Sequence, residues 1–183
     1  LFYMDPGDLI PLAALAAGFH ELGHWTAVRL MGGEVRVLRL TVTGGNMELD
    51  HRRPLTYGGE LAAILAGPGV NLLLALLCAR LGGEREALYA LSGLSLALGW
   101  FNLLPIYPLD GGRALLLILS AFTTPGRARQ AVWGCSVILV ALLLAAGMSL
   151  LWRGGRNLTL PGMALWLLCG LTRREEGRTP VKK

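Results

Sequence analysis

Three stretches of this chain, Leu61 to Ala79, Ala87 to Leu109 and Ala131 to Trp152, hold no charged residue, and a fourth, Leu9 to Val28, is interrupted only by His20, Glu21 and His24. A helix rises 1.5 Å per residue, so each run reaches or approaches the ~20 residues that carry a helix across a ~30 Å hydrocarbon layer. Asn157 to Thr172 is a shorter fifth run, interrupted by Pro161. A buried core helix explains one such run, but several in one small protein point to the membrane. The pattern predicts an all-α polytopic membrane protein of about five transmembrane helices, over residues 9–31, 59–81, 87–122, 131–152 and 157–172.

Punctuating residues set the bounds of these elements. Gly32-Gly33 closes the first helix. Pro105 and Pro108 break the third over 105–112, because proline lacks an amide proton and clashes with the preceding turn, and the helix resumes through Ala114 to Phe122. Trp133 and Trp152 bracket the fourth at a separation of ~28 Å, the spacing of two interfacial aromatic belts. Between the first two helices the pattern changes. Val35, Val37, Leu38, Leu40 and Val42 alternate with Arg and Thr, and Gly44-Gly45-Asn46 offers a turn. The expectation is a small interfacial β-hairpin over 34–50, with an irregular surface loop as the other reading. No linker or internal repeat divides the chain, so one membrane-embedded domain is expected over 1–172, followed by a basic tail over 173–183.

Composition supports this picture. Hydrophobic residues make up 54% of the 183 and charged residues 16%, against about 25% charged in soluble domains. The net charge of +5 would suit nucleic acid if it were clustered on one folded surface, but its placement reads as topology. With the first helix ending in the cytoplasm, the cytoplasmic segments hold Arg29, Arg36, Arg39, Arg52, Arg53, Arg113, Arg127 and Arg129, and the tail adds Arg173, Arg174, Arg178, Lys182 and Lys183. The other face keeps Arg80, Arg85, Arg153 and Arg156. Thirteen against four is the asymmetry of the positive-inside rule, so no nucleic-acid partner is expected. Cys78, Cys135 and Cys169 lie far apart in apolar runs and read as small packed hydrophobes.

The polar residues inside the first run carry the candidate chemistry. In His20-Glu21-Leu22-Gly23-His24 the imidazoles stand at i and i+4, on one helix face, where both reach one metal ion. Glu21 lies beside them, placed to take a proton from an attacking water. This is the His-Glu-x-x-His arrangement of zinc hydrolases. Two unrelated histidines on a surface helix give the same pattern in a soluble protein. In a spanning segment, each strongly polar side chain costs a few kcal/mol and marks function. Catalytic zinc usually has three protein ligands, and Asp110 is the remaining internal candidate. It follows the Pro105/Pro108 break, where irregular backbone at membrane depth needs protein or a wet cavity around it. Taken alone, Asp110 reads equally well as a ligand or as a cap of the helix beyond it; the histidine pair favours the ligand. Alternation of spans puts His24 and Asp110 near the same, cytoplasmic side. Asn71 and Asn102 each read either as a substrate-binding or oxyanion-stabilising amide or as an interhelical hydrogen bond. His51, Trp25 and Tyr107 read as solvated, interfacial or packing residues.

With these residues placed, the chain resembles the site-2 protease family of intramembrane zinc metalloproteases. The resemblance rests on Phe19-His20-Glu21-Leu22-Gly23-His24, Ala66-Gly67-Pro68-Gly69-Val70-Asn71, and Phe101-Asn102-Leu103-Leu104-Pro105 through Leu109-Asp110-Gly111-Gly112-Arg113, in that order. It implies one zinc per chain on His20, His24 and Asp110, with Glu21 catalytic. It also implies hydrolysis of transmembrane or membrane-associated regulatory proteins as substrates, from a multi-pass protein of the bacterial plasma membrane whose site lies near the cytoplasmic face. A regulatory membrane partner of unidentified kind goes with that expectation. The short form resembles the bacterial branch that includes the sporulation stage IV protease. The alternative is a silent homologue that binds membrane proteins without cutting them, against which the intact Glu21 argues. A metal transporter would need polar groups along a whole path across the membrane. The external position expected for the start of the first helix leads to one further expectation, another membrane helix before Leu1.

Overall fold

α1 (Pro6–Leu30) ends in a glycine turn, as Gly32-Gly33 foretells. Gly32 has φ +80°, a region that side chains avoid, and Gly33 N donates to Val28 O at 2.9 Å. The bond closes over the last turn and satisfies a carbonyl the helix itself leaves bare. The computed structural model describes residues 6–33, 35–41, 44–49, 55–83, 85–152 and 159–176. They fall into two compact units, divided between Leu103 and Leu104, where the sequence suggests one domain.

In the first unit, β1 (Val35–Thr41) and β2 (Gly44–Leu49) pair antiparallel, with Leu38 opposite Met47 and a register irregularity between Val35 and Val37. Gly44, Gly45 and Asn46, expected as a turn, belong to β2, opposite Thr41, Leu40 and Arg39. His51 lies outside the described residues. α2 (Tyr57–Leu81) starts two residues ahead of the expected boundary, after the N-cap Thr56, whose Oγ1 accepts from Gly59 N at 3.2 Å. α3 (Glu86–Asn102) turns back against α2, and Ser92 Oγ donates to Ala75 O at 2.7 Å across that pair. Ala16, Cys78 and Leu91 form the centre of this unit, with Leu12, Leu74, Leu88, Leu94 and Leu98 packed around them.

The second unit opens on the segment the two prolines break. The interruption covers 103–109, shorter than the expected 105–112, and what was expected as one broken helix is α3 followed by a separate α4 (Asp110–Phe122). Ile106 is fully buried, Leu109 N donates to Ile106 O at 2.8 Å, and the Tyr107–Pro108 peptide is cis. Tyr107 N donates to Ser136 Oγ at 2.9 Å, and that hydroxyl donates to Val132 O at 2.7 Å, which fastens the segment to α5. α5 (Pro125–Trp152) begins six residues before the expected 131, since Arg127, Arg129 and Gln130 end the apolar run but not the helix, and Pro125 suits its first position. α6 (Thr159–Glu176) packs on α5 where Gly147 meets Pro161, and it extends past the expected end at 172 into the basic tail.

Beside the apolar core, several polar side chains are buried and many large apolar ones are exposed. His20, Asn71, Ser95, Asp110 and Ser136 are buried, while Leu73, Leu76, Trp100, Ile138, Leu142 and Trp152 are exposed. A water-soluble surface seldom exposes so many large apolar side chains. Among the described residues, α2 and α5 are long and apolar enough to cross a membrane, and Leu160–Leu171 is a shorter apolar stretch.

Candidate metal centre

α1 and α2 approach closely because the residues between them are small. A Cβ on Gly23 would meet Ala66 O at 2.8 Å and Val70 Cγ2 at 2.9 Å. At this crossing His24 Nδ1 lies 2.8 Å from Ala63 O. A carbonyl can only accept, so the ring proton of His24 sits on Nδ1, leaving the Nε2 lone pair for a ligand. Gly67, one turn further along α2, completes the seat, since a Cβ there would overlap Nε2, Cε1 and Cδ2 of His24. Pro68 follows it and is fully buried inside α2.

His20 is buried on the same face of α1, its ring edge-on to His24 with centroids 4.7 Å apart. The two Nε2 atoms face each other at 3.1 Å. Two nitrogens bound to one tetrahedral zinc at about 2.0–2.1 Å lie roughly 3.3 Å apart, so the pair fits a shared ion without rearrangement of the helix. Glu21, next on α1, is half-buried, and its Oε2 is shielded from solvent. Trp25, on the last two turns of α1, lies under the Arg29 guanidinium at 5.7 Å, in keeping with an interfacial ring.

Asp110, in the second unit, is buried at the start of α4. The capping alternative loses its ground there: the N-cap is Leu109, and Asp110 is the first helical residue. Its Oδ1 lies 3.7 Å from Nη1 of Arg113, one turn along and half-exposed. Gly112 fixes the local path, because a Cβ on it would strike the backbone of Ile106 and Tyr107.

The two asparagines separate. Asn71 is fully buried with Nδ2 at 3.4 Å from His20 Nδ1, so of its two expected readings the interhelical hydrogen bond is the one present. Asn102 is half-buried and donates from Nδ2 to Leu98 O at 3.0 Å within its own helix. Sequence reasoning gave no role to Gly67, Ala63 or Ser136. Glycines and alanines in an apolar helix mark close approach, but which ring they seat is a tertiary fact. Gly67→Ala is expected to weaken zinc binding at least about ten-fold, the scale of a lost orienting contact. Gly69→Ala, whose Cβ meets nothing within 4 Å, leaves it unchanged, as a chelator competition on the two purified variants would show.

Comparison with known proteins finds peptidases. The model of peptidase family M50 matches residues 79–145. The solved site-2 protease of Methanocaldococcus jannaschii superposes with a TM-score of 0.72 at 27% identity, covering 96% of this chain and 80% of that one. The chain is similar in sequence and in fold to the site-2 protease family. Members of this family are membrane proteins, and curated relatives carry names that state the metal. A zinc metalloprotease of M. jannaschii is 34% identical over 119 residues, 61% of this chain and 34% of the relative. Stage IV sporulation protein FB of Bacillus subtilis is 31% identical over 105 residues, 55% of this chain and 36% of the relative. The chain thus spans about a third of the length of these curated relatives.

Proposed function

We propose that this chain is an intramembrane zinc metalloprotease that hydrolyses peptide bonds of transmembrane or membrane-associated regulatory proteins. The observation that carries the reading is the pair of convergent Nε2 atoms of His20 and His24, with Glu21 beside them on one apolar helix. Asp110 is the third ligand in this reading, since two imidazoles and a buried carboxylate are a catalytic zinc donor set. Zinc held there supplies Lewis acidity and lowers the pKa of a coordinated water toward ~7. Glu21 accepts a proton from the attacking water on its carboxylate and returns it to the leaving amide nitrogen. Asn102 keeps a second amide hydrogen for a substrate carbonyl.

The protein crosses the membrane several times in this reading, with the site near the cytoplasmic face. Support comes from α2 and α5, from the apolar exposed faces, and from the thirteen-to-four placement of basic residues. A substrate helix hides its carbonyls in internal bonds, so it must unwind to be cut, and an edge of the two-stranded β1–β2 sheet offers its strand new partners. Val37→Pro and Leu40→Pro are expected to slow cleavage several-fold with zinc still bound; an unchanged rate on an authentic substrate would remove the hairpin from substrate binding. The function itself is tested by mass spectrometry of membrane peptides from cells carrying the wild type or Glu21→Gln. Fragments ending within or beside spans should appear with the wild type alone, and identical peptide sets would refute proteolysis.

A further inference from the structure

Asn71 and Ser95 are polar, fully buried and outside the expected metal ligands. Asn71 Oδ1 and Ser95 Oγ accept no hydrogen bond and lie out of reach of solvent, a costly arrangement for oxygen atoms inside an apolar bundle. Gly99 of α3 lies against this part of α2, where a Cβ on it would meet Pro68 O at 3.2 Å and Asn71 Cβ at 3.3 Å.

The amide of Asn71 can meet His20 in two ways related by a half-turn of its terminal torsion. With Nδ2 toward the ring, the amide donates to Nδ1, which puts the imidazole proton on Nε2, the atom that faces His24. A protonated Nε2 has no lone pair to give a metal. With Oδ1 toward the ring, Nδ1 carries the proton and donates it to the amide, and Nε2 is a ligand. The same half-turn gives the orphaned Oδ1 a donor.

We propose that Asn71 is a positioning residue of the zinc site: its Oδ1 accepts from His20 Nδ1 and thereby fixes the tautomer and ring plane that present Nε2 to the metal. His24 already has its counterpart in Ala63 O, so each ligand histidine would be oriented by an acceptor on α2. Orienting acceptors of this kind change metal affinity 10–100-fold. The inference rests on the zinc reading proposed above and adds to it the residue that sets the tautomer of one ligand.

The test uses the purified full chain and zinc alone. Chelator competition on the wild type, Asn71→Leu and Asn71→Asp is expected to show a 10–100-fold loss for Asn71→Leu. Asn71→Asp, which keeps an acceptor, should stay within a few-fold of the wild type. Nitrogen NMR of the zinc-loaded wild type with labelled histidine should find the His20 proton on Nδ1, and this measurement stands even where a variant does not fold. Wild-type affinity in folded Asn71→Leu, or a proton on Nε2 of His20 in the zinc-loaded protein, would overturn the inference. Absence of zinc binding by the wild type would instead overturn the zinc reading beneath it.

Discussion

Glu21→Gln is expected to lower the rate of peptide cleavage by about 10²–10⁴-fold, the usual contribution of a positioned general base, while zinc content stays at one per chain. Glutamine has the size and nearly the shape of glutamate, so α1 keeps its packing and His20 and His24 keep their seats on α2. Only the capacity to take a proton and return it is lost. The residue is half-buried on the helix that carries both imidazoles, which holds the proton acceptor at a fixed distance from the ligand atoms. The measurement is cleavage of a membrane-spanning substrate in reconstituted lipid, with zinc determined on the same preparation. Retained cleavage would place the base elsewhere and revive the reading of a protein that binds its partners without cutting them. Lost cleavage together with lost zinc would make Glu21 a structural support of the site.

Asp110→Ala is expected to reduce zinc affinity by more than about 100-fold, since loss of a ligand exceeds the 10–100-fold cost of losing its support. Asp110→Asn decides between the two roles a carboxylate can have at a helix start. Asparagine fits that position as well as aspartate in size and hydrogen bonding, so a residue that serves only α4 would tolerate it, with zinc unchanged. A zinc ligand would not, because a neutral amide is a much weaker donor to the ion than a carboxylate. His20→Ala provides the reference for a lost ligand. Equal zinc in Asp110→Ala and the wild type would remove Asp110 from the site and leave the histidine pair in need of another third donor. Arg113, half-exposed and 3.7 Å from the Asp110 carboxylate, makes the helix start tolerant of a negative charge, and its replacement by Gln should affect zinc less than either Asp110 variant.

Local chemistry made much of this molecule legible from its residues. The apolar runs gave α2 and α5, because a helix that faces lipid or other helices needs no polar periodicity to interrupt it. Gly32-Gly33 marked the end of α1, since a positive φ is a property of a single residue. Two prolines marked the break before α4, since each removes a donor where it stands. The spacing of His20 and His24 is the pitch of the helix written in sequence, and so their convergence was readable as well. Boundaries at polar residues were misplaced. Hydropathy reports where a side chain prefers to be, whereas helix hydrogen bonds continue through Arg127, Arg129 and Gln130.

Tertiary structure decided what surrounds the ligands. That Ala63 O fixes the proton of His24, that Gly67 leaves room for its ring, and that Asn71 faces His20 all depend on the separation and rotation of α1 against α2. No local pattern encodes such a crossing, because the small residues that permit it are equally at home on any apolar helix. The same holds for Ser136, which anchors Tyr107 through a contact spanning 29 residues of sequence. A helix pitch is set by neighbours a few residues apart and is therefore written locally. A hydrogen bond between two helices is set by how their whole surfaces fit, and that is decided only when they pack.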